Sequence, residues 1–202
     1  MQINQPKPRK SFIFVPGIRT ELYEKAVMSG ADIICLELED GIATQDKALA
    51  RKKVTLFLES DSLGKKKVEQ VIRVNPINTA EGIKDLLTLL SCKKPPASIM
   101  FPKINSPDEV ALIDNLFGDF QVSTRIQIII ETNQGLETAF EIANSSKRID
   151  ALFFGGVDMA AELRCSADWN TLLYARSRVV HAAAAAELDI LDVPFLDLSD
   201  MN

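Results

Sequence analysis

Two acidic side chains follow two consecutive runs of strand-forming residues: Glu131 in IQIIIETNQG and Asp158 in ALFFGGVD. If both runs lie in one parallel sheet, both carboxylates stand at its carboxyl edge. Ligands bind at that edge in open α/β sheets, and active sites form there in barrels. Two hard oxygen ligands on neighbouring strand ends, with no histidine near them in sequence, suit Mg²⁺. The alternative is that each acid caps the helix that follows it.

Other strand ends carry further candidates. Glu39 and Asp40 close the run ADIICLELED. Alternation along a strand sends neighbours to opposite sides, so one of the two faces a site; both also fit a turn and a helix cap. Arg73 lies inside the apolar run VIRVNP. A guanidinium there must be paired or aimed at a ligand, because an unpaired buried charge is costly. It therefore reads as a ligand-binding group or as the partner of Glu39 or Asp40. Lys103 ends the fourth run and fits an anionic substrate, a neighbouring acid or plain solvent. Gly135, Gly155 and Gly156 allow close backbone approach to a ligand or ordinary turns. On the long helical stretch near the end, Tyr174, Arg176 and Arg178 read as surface or interface residues, and His181 as a packed histidine.

Those candidates need a scaffold, and the rhythm of the chain supplies one. Short apolar runs (11–17, 31–40, 68–75, 97–103, 125–131, 151–155, 190–195) alternate with helical patterns at 20–29, 45–59, 80–91, 106–116, 136–144 and 172–187. Runs without polar alternation are those of strands buried on both faces. Strict strand–helix alternation predicts a parallel sheet. Without a glycine-rich fingerprint after the first strand, the pattern favours a TIM (β/α)₈ barrel over a doubly wound sheet. Seven strands are counted, so the barrel is expected to be truncated after the seventh. Residues 1–10 are expected to form a flexible arm and 11–202 a single, incomplete barrel domain.

Composition removes several classes of function. The 202 residues carry a formal net charge of -5 and show no basic stripe, which argues against nucleic acid as a partner. Lys65 to Lys67 form a short cluster of solvated loop character. Three scattered cysteines have no metal spacing, and a single histidine leaves no His-rich metal site. With no signal peptide and no bilayer-length apolar run, a cytoplasmic protein with no membrane partner is expected.

The ordered set SFIFVPG, EKAVMSGADIICLELEDGI, VIRVN, IMFPKINSPDEV, IIIETNQGLETAFEIA, RIDALFFGGVDMAAEL and YARSRVVHAAAAAELDILDVPFLD resembles the citrate lyase beta-chain family, which also contains malyl-CoA and citramalyl-CoA lyases. The resemblance spans Ser11 to Asp200. It implies a TIM barrel that binds Mg²⁺ and cleaves a 3-hydroxyacyl thioester (citramalyl-, citryl- or malyl-CoA) into acetyl-CoA and a 2-oxo acid. By similarity Glu131 and Asp158 match the metal-binding acids, and Arg73 matches the active-site arginine of the RVN motif. Glu39 and Asp40 match the LED pair, and Gly155, Gly156 and Val157 the loop that lines the substrate carboxylate. The base that takes the hydroxyl proton stays open among Asp40, Glu39 and a metal-bound hydroxide. The resemblance further implies a homo-oligomer, a trimer or a multiple, with CoA or an acyl carrier protein bearing the substrate. Lys10 and Glu37 depart from the family's arginine and aspartate, and members continue past Asp200. Two other readings follow: a non-catalytic or truncated lyase-like subunit, and a Mg²⁺-dependent aldolase on free hydroxy acids.

Overall fold

The structure, a computed structural model, describes residues 9–60 and 68–194. The Lys65 to Lys67 cluster, residues 1–8 of the expected arm and Phe195 of the expected seventh strand lie outside that range. Seven strands run in the order β1-β2-β3-β4-β5-β6-β7, the order of successive β/α units. The fold is α/β, of the TIM-barrel class, with seven strands among the described residues. The chain divides into two compact units, residues 1–100 with 120–124, and residues 101–119 with 125–202.

The first unit holds β1 (Phe12–Pro16), β2 (Ile33–Glu37), β3 (Glu69–Arg73) and the first residues of β4 (Ser98–Phe101). Its strands pair in parallel, and Glu37 stands in register with Arg73. Every residue of β2 is buried, which is why its sequence shows no polar alternation. The helices are α1 (Tyr23–Met28), α2 (Lys47–Glu59) and α3 (Ala80–Leu90). The expected helix at 20–29 starts instead as a 3-10 turn over Gly17–Leu22, broken by non-helical dihedrals at Arg19. Helix α2 turns Ala50, Val54 and Leu58 inward, an i, i+4, i+8 stripe. The Thr79 hydroxyl caps α3 by accepting from Gly82 N–H. Arg9, the first described residue, bonds Glu69 through Nε at 2.9 Å.

The second unit begins at Phe101 and contains α4 (Pro107–Asp119), β5 (Arg125–Ile130), α5 (Asn133–Glu137), α6 (Ala139–Ala143), β6 (Ile149–Phe154), α7 (Gly156–Leu163), α8 (Trp169–Ala185) and β7 (Asp189–Leu191). Pro107 opens α4, where its missing N–H costs nothing. Two short helices replace the continuous one expected over 136–144. Helix α7 lies where the sequence suggested only a glycine loop. It packs Met159 and Ala160 inward and ends on Arg164 in the left-handed conformation. Helix α8 starts at Trp169, three residues before its expected start. Asp168 caps it, accepting from Asn170 N–H at 2.9 Å and Thr171 N–H at 3.0 Å. Ala182 and Ala183 of the alanine run pack closely.

Candidate functional site

Each unit gathers a set of charged side chains at the carboxyl ends of its strands. In the first unit Arg73, the last residue of β3, meets Glu37, the last residue of β2. Arg73 Nε donates to Glu37 Oε2 at 2.5 Å, and Arg73 Nη1 stands 3.3 Å from Glu39 Oε2. The guanidinium carbon lies 4.6 Å from the Phe14 ring centroid, a cation–π distance. Glu37 also accepts from the Glu39 backbone N–H, which fixes the turn after β2. Burial pushes the Glu37 carboxyl up to about 6, against the pull of the adjacent guanidinium. Burial opposes the charge of Arg73 as well. There Glu37 and then Glu39 more than offset it, so Arg73 holds its proton more firmly than usual.

A second layer locks the loops behind this cluster. Lys47 Nζ donates to the carbonyls of Leu38 (2.9 Å) and Glu39 (2.5 Å) and to Asn75 Oδ1 (2.7 Å). Asn75 Nδ2 donates to Leu38 O and to Asp85 Oδ2, and Asp85 accepts from Arg51 Nε at 2.6 Å. Asp85 is fully buried, and these donors make its charge tolerable there. Asn75, read in the sequence only as a strand end, is thus the joint between the loops after β2 and β3.

In the second unit Glu131 follows β5 directly and is 2% exposed. Its Oε1 accepts the backbone N–H of Lys103 at 3.0 Å. Lys103 Nζ lies 3.8 Å from Glu131 Oε1 and 3.7 Å from Asp158 Oδ1. One ammonium is therefore bracketed by both carboxylates. Lys103 adopts φ +54°, a left-handed conformation that costs a residue with a side chain roughly 1–2 kcal/mol. That backbone turn lets its main chain and its side chain both address Glu131. Asp158 lies in the first turn of α7, where the helix dipole favours an acid. Neither acid is a helix cap: Thr132 Oγ1 accepts from Gly135 N–H to cap α5, and Gly155 occupies the N-cap of α7.

The glycines sort into different roles. A Cβ on Gly155 would stand 2.5 Å from Glu131 Cβ and 2.9 Å from Ile129 Cγ2, and would press on Glu131 Oε2. Only glycine at 155 leaves Glu131 its place. Gly135 and Gly156 are required by packing instead, against the Ile104 carbonyl and the Val193 side chain. Val157 is half exposed.

Glu39 is buried and joined to Arg73, whereas Asp40 is exposed. Two residues of α8 have structural partners: Arg176 pairs with Asp192 at 3.0 Å, and Arg178 donates to the carbonyls of Leu136 and Glu137. His181, expected to be packed, is solvent-facing, because the helix turns Val179, Ala182 and Ala183 inward. Glu37, noted in the sequence only as a departure from the family's aspartate, is the buried partner of Arg73 that was not placed among the site residues. Its signal was present: it precedes Glu39 by two positions, so both point to one face.

Chemically, the Lys103–Glu131–Asp158 group has the donors for a hard divalent cation. Two carboxylates from successive strand ends already bracket a single positive charge, and Gly155 keeps the space beside one of them clear. No group of three or more His, Cys, Asp or Glu able to hold a metal occurs among the described residues. Two carboxylates leave the rest of a hard ion's coordination sphere to water and substrate, the arrangement Mg²⁺ favours. Residues 10–202 match the HpcH/HpaI aldolase/citrate lyase family. The chain belongs to this family. It is 29% identical over 209 residues to human mitochondrial citramalyl-CoA lyase, covering 96% of this chain and 61% of the relative. Among solved structures of similar fold, RipC from Yersinia pestis superposes with a TM-score of 0.82 at 30% identity, covering 97% of this chain and 80% of that one. The citrate lyase beta subunit of M. tuberculosis, complexed with oxaloacetate and magnesium, superposes with a TM-score of 0.77 at 27% identity, covering 95% of this chain and 82% of that one.

Proposed function

We propose that this chain is a Mg²⁺-dependent carbon–carbon lyase that cleaves a 3-hydroxyacyl-CoA thioester (citramalyl-, citryl- or malyl-CoA) into acetyl-CoA and a 2-oxo acid. The observation that carries the reading is the bracketing of one cationic group by Glu131 and Asp158. Family membership and the magnesium complex of the M. tuberculosis relative support it. Mg²⁺ would supply a Lewis acid and a template for the oxygens of the oxo-acid half. Glu131 and Asp158 would hold that ion, and the Lys103 backbone N–H fixes the Glu131 carboxylate.

Arg73 stabilises negative charge on oxygen as the carbon–carbon bond breaks. Glu37 and Glu39 hold its guanidinium in one orientation, so the donor is in place before charge develops. The hydroxyl proton goes to Glu39 or Asp40, and the thioester enolate left by the bond cleavage takes up a proton at carbon to give acetyl-CoA. Glu39 stands 3.3 Å from Arg73, so a substrate oxygen bound by that guanidinium lies within its reach, which favours Glu39. Gly155, Gly156 and Val157 line the path of the substrate carboxylate, which Lys103 helps to neutralise.

Removing one preorganised donor typically lowers turnover ~100-fold or more, and Arg73→Ala is expected to do so while Mg²⁺ affinity is kept. Glu131→Ala and Asp158→Ala are expected to weaken Mg²⁺ binding in calorimetric titration. Unchanged affinity in both would remove them as ligands, and near-wild-type cleavage by Arg73→Ala would remove the arginine. The family description also includes aldolases, so a Mg²⁺-dependent aldolase on free hydroxy acids is the second reading. It predicts cleavage that does not depend on the thioester. Comparison of CoA with acyl-carrier substrates decides the carrier, and solution mass tests the homo-oligomer that accompanies this reading.

A further inference from the structure

We propose that Lys103 is the resident counterion of the metal site: its ammonium occupies the place between Glu131 and Asp158 until Mg²⁺ displaces it. This rests on the metal reading above and adds a competition to it. The distances carry the argument. Nζ is nearly equidistant from the two carboxylates, at 3.8 Å from Glu131 Oε1 and 3.7 Å from Asp158 Oδ1. Glu131 is buried, and two acids so close to one point need a cation to offset their mutual repulsion. An ammonium is a compact point charge on a flexible stem, unlike a planar guanidinium, and can both fill such a place and leave it.

The backbone anchors the device. Lys103 N–H bonds Glu131 Oε1 at 3.0 Å, and the left-handed backbone at 103 directs the side chain back over the same carboxylate. Asn105 Nδ2 donates to Lys103 O at 3.0 Å, and Asn105 Oδ1 accepts from Thr132 Oγ1 at 2.7 Å. The loop after β4 is thereby tied to the loop after β5. The main chain of residue 103 stays fixed when its side chain moves. Mg²⁺ and the ammonium cannot both occupy the place, because like charges at that separation repel. The displaced ammonium, 30% exposed as it stands, is then available to an anionic substrate group.

The test separates displacement from simple repulsion by asking which state of the protein Lys103 stabilises. Lys103→Met and Lys103→Gln are compared with the wild type by calorimetric Mg²⁺ titration and by thermal melting, without metal and at saturating Mg²⁺. Displacement predicts Mg²⁺ binding tighter by ~2–5-fold in both variants, with a lower melting temperature without metal and an unchanged one at saturation. An unchanged metal-free melting temperature, with the gain appearing only in the Mg²⁺-loaded protein, overturns the proposal and makes Lys103 a fixed neighbour of the ion. Weaker or equal Mg²⁺ affinity in both variants overturns it too, while wild-type Mg²⁺ binding keeps the metal reading standing. A wild type that takes up no Mg²⁺ removes both.

Discussion

Glu37 is a carboxylate whose proton affinity is set by two opposing forces, and burial wins over the guanidinium beside it. Its consequence for stability has a definite sign. The folded state binds this proton more tightly than the unfolded chain, with a value of about 6 against 4.5. The stability this confers is therefore fully present below about pH 4.5. It is lost as pH rises through about 6, by about 2 kcal/mol in all. Glu37→Gln removes the titration. Unfolding free energies measured in urea at about pH 4.5 and about pH 7 are expected to show the wild type losing about 2 kcal/mol relative to the variant. Parallel pH dependence of the two proteins would show that Glu37 titrates as it does in the unfolded chain. Legibility differs among these residues for physical reasons. Arg73 was legible because a guanidinium in an apolar run must find partners. Glu37 was obscured by the adjacent LED pair, although strand alternation places Glu37 and Glu39 on one face. Glu131 and Asp158 were legible as strand-end acids. The position of Lys103 between them was not, because it depends on a backbone turn of positive φ that no local pattern announces.

At the level of elements, the junction of β6 and α7 determines whether Glu131 can hold its place. Gly155→Ala inserts a methyl group against Glu131 and Ile129. Overpacking of this kind costs about 1–3 kcal/mol, and here it also moves a proposed ligand. The expected outcome is lower stability in urea together with weakened Mg²⁺ binding. Gly118→Ala is the control: it lies in α4 with open space around the new methyl group and is expected to gain stability by about 0.5–1 kcal/mol. Equal stability and equal Mg²⁺ affinity for Gly155→Ala and the wild type would contradict the crowding argument. The strands were easy to read because burial on both faces leaves unbroken apolar runs. Helix α7 was hidden by the Gly155–Gly156 pair, which has the composition of a loop. The inward-facing pair Met159 and Ala160 was too short a stripe to override it. The 3-10 start before α1 and the break between α5 and α6 are likewise local departures from helical geometry that 3.6-residue periodicity does not record.

At the scale of the whole chain, family membership and strand order give a frame in which strand ends carry the chemistry. The chain spans 61% of the length of its human relative. Among the described residues no helix is long and apolar enough to cross a membrane. The most direct measurement is release of acetyl-CoA from citramalyl-, citryl- and malyl-CoA by the purified 202-residue chain, with Mg²⁺ and with chelator. The account predicts Mg²⁺-dependent release from at least one of the three, abolished by chelator and lowered ~100-fold or more in Arg73→Ala. No release from any of them, or release that continues undiminished in chelator, would contradict it.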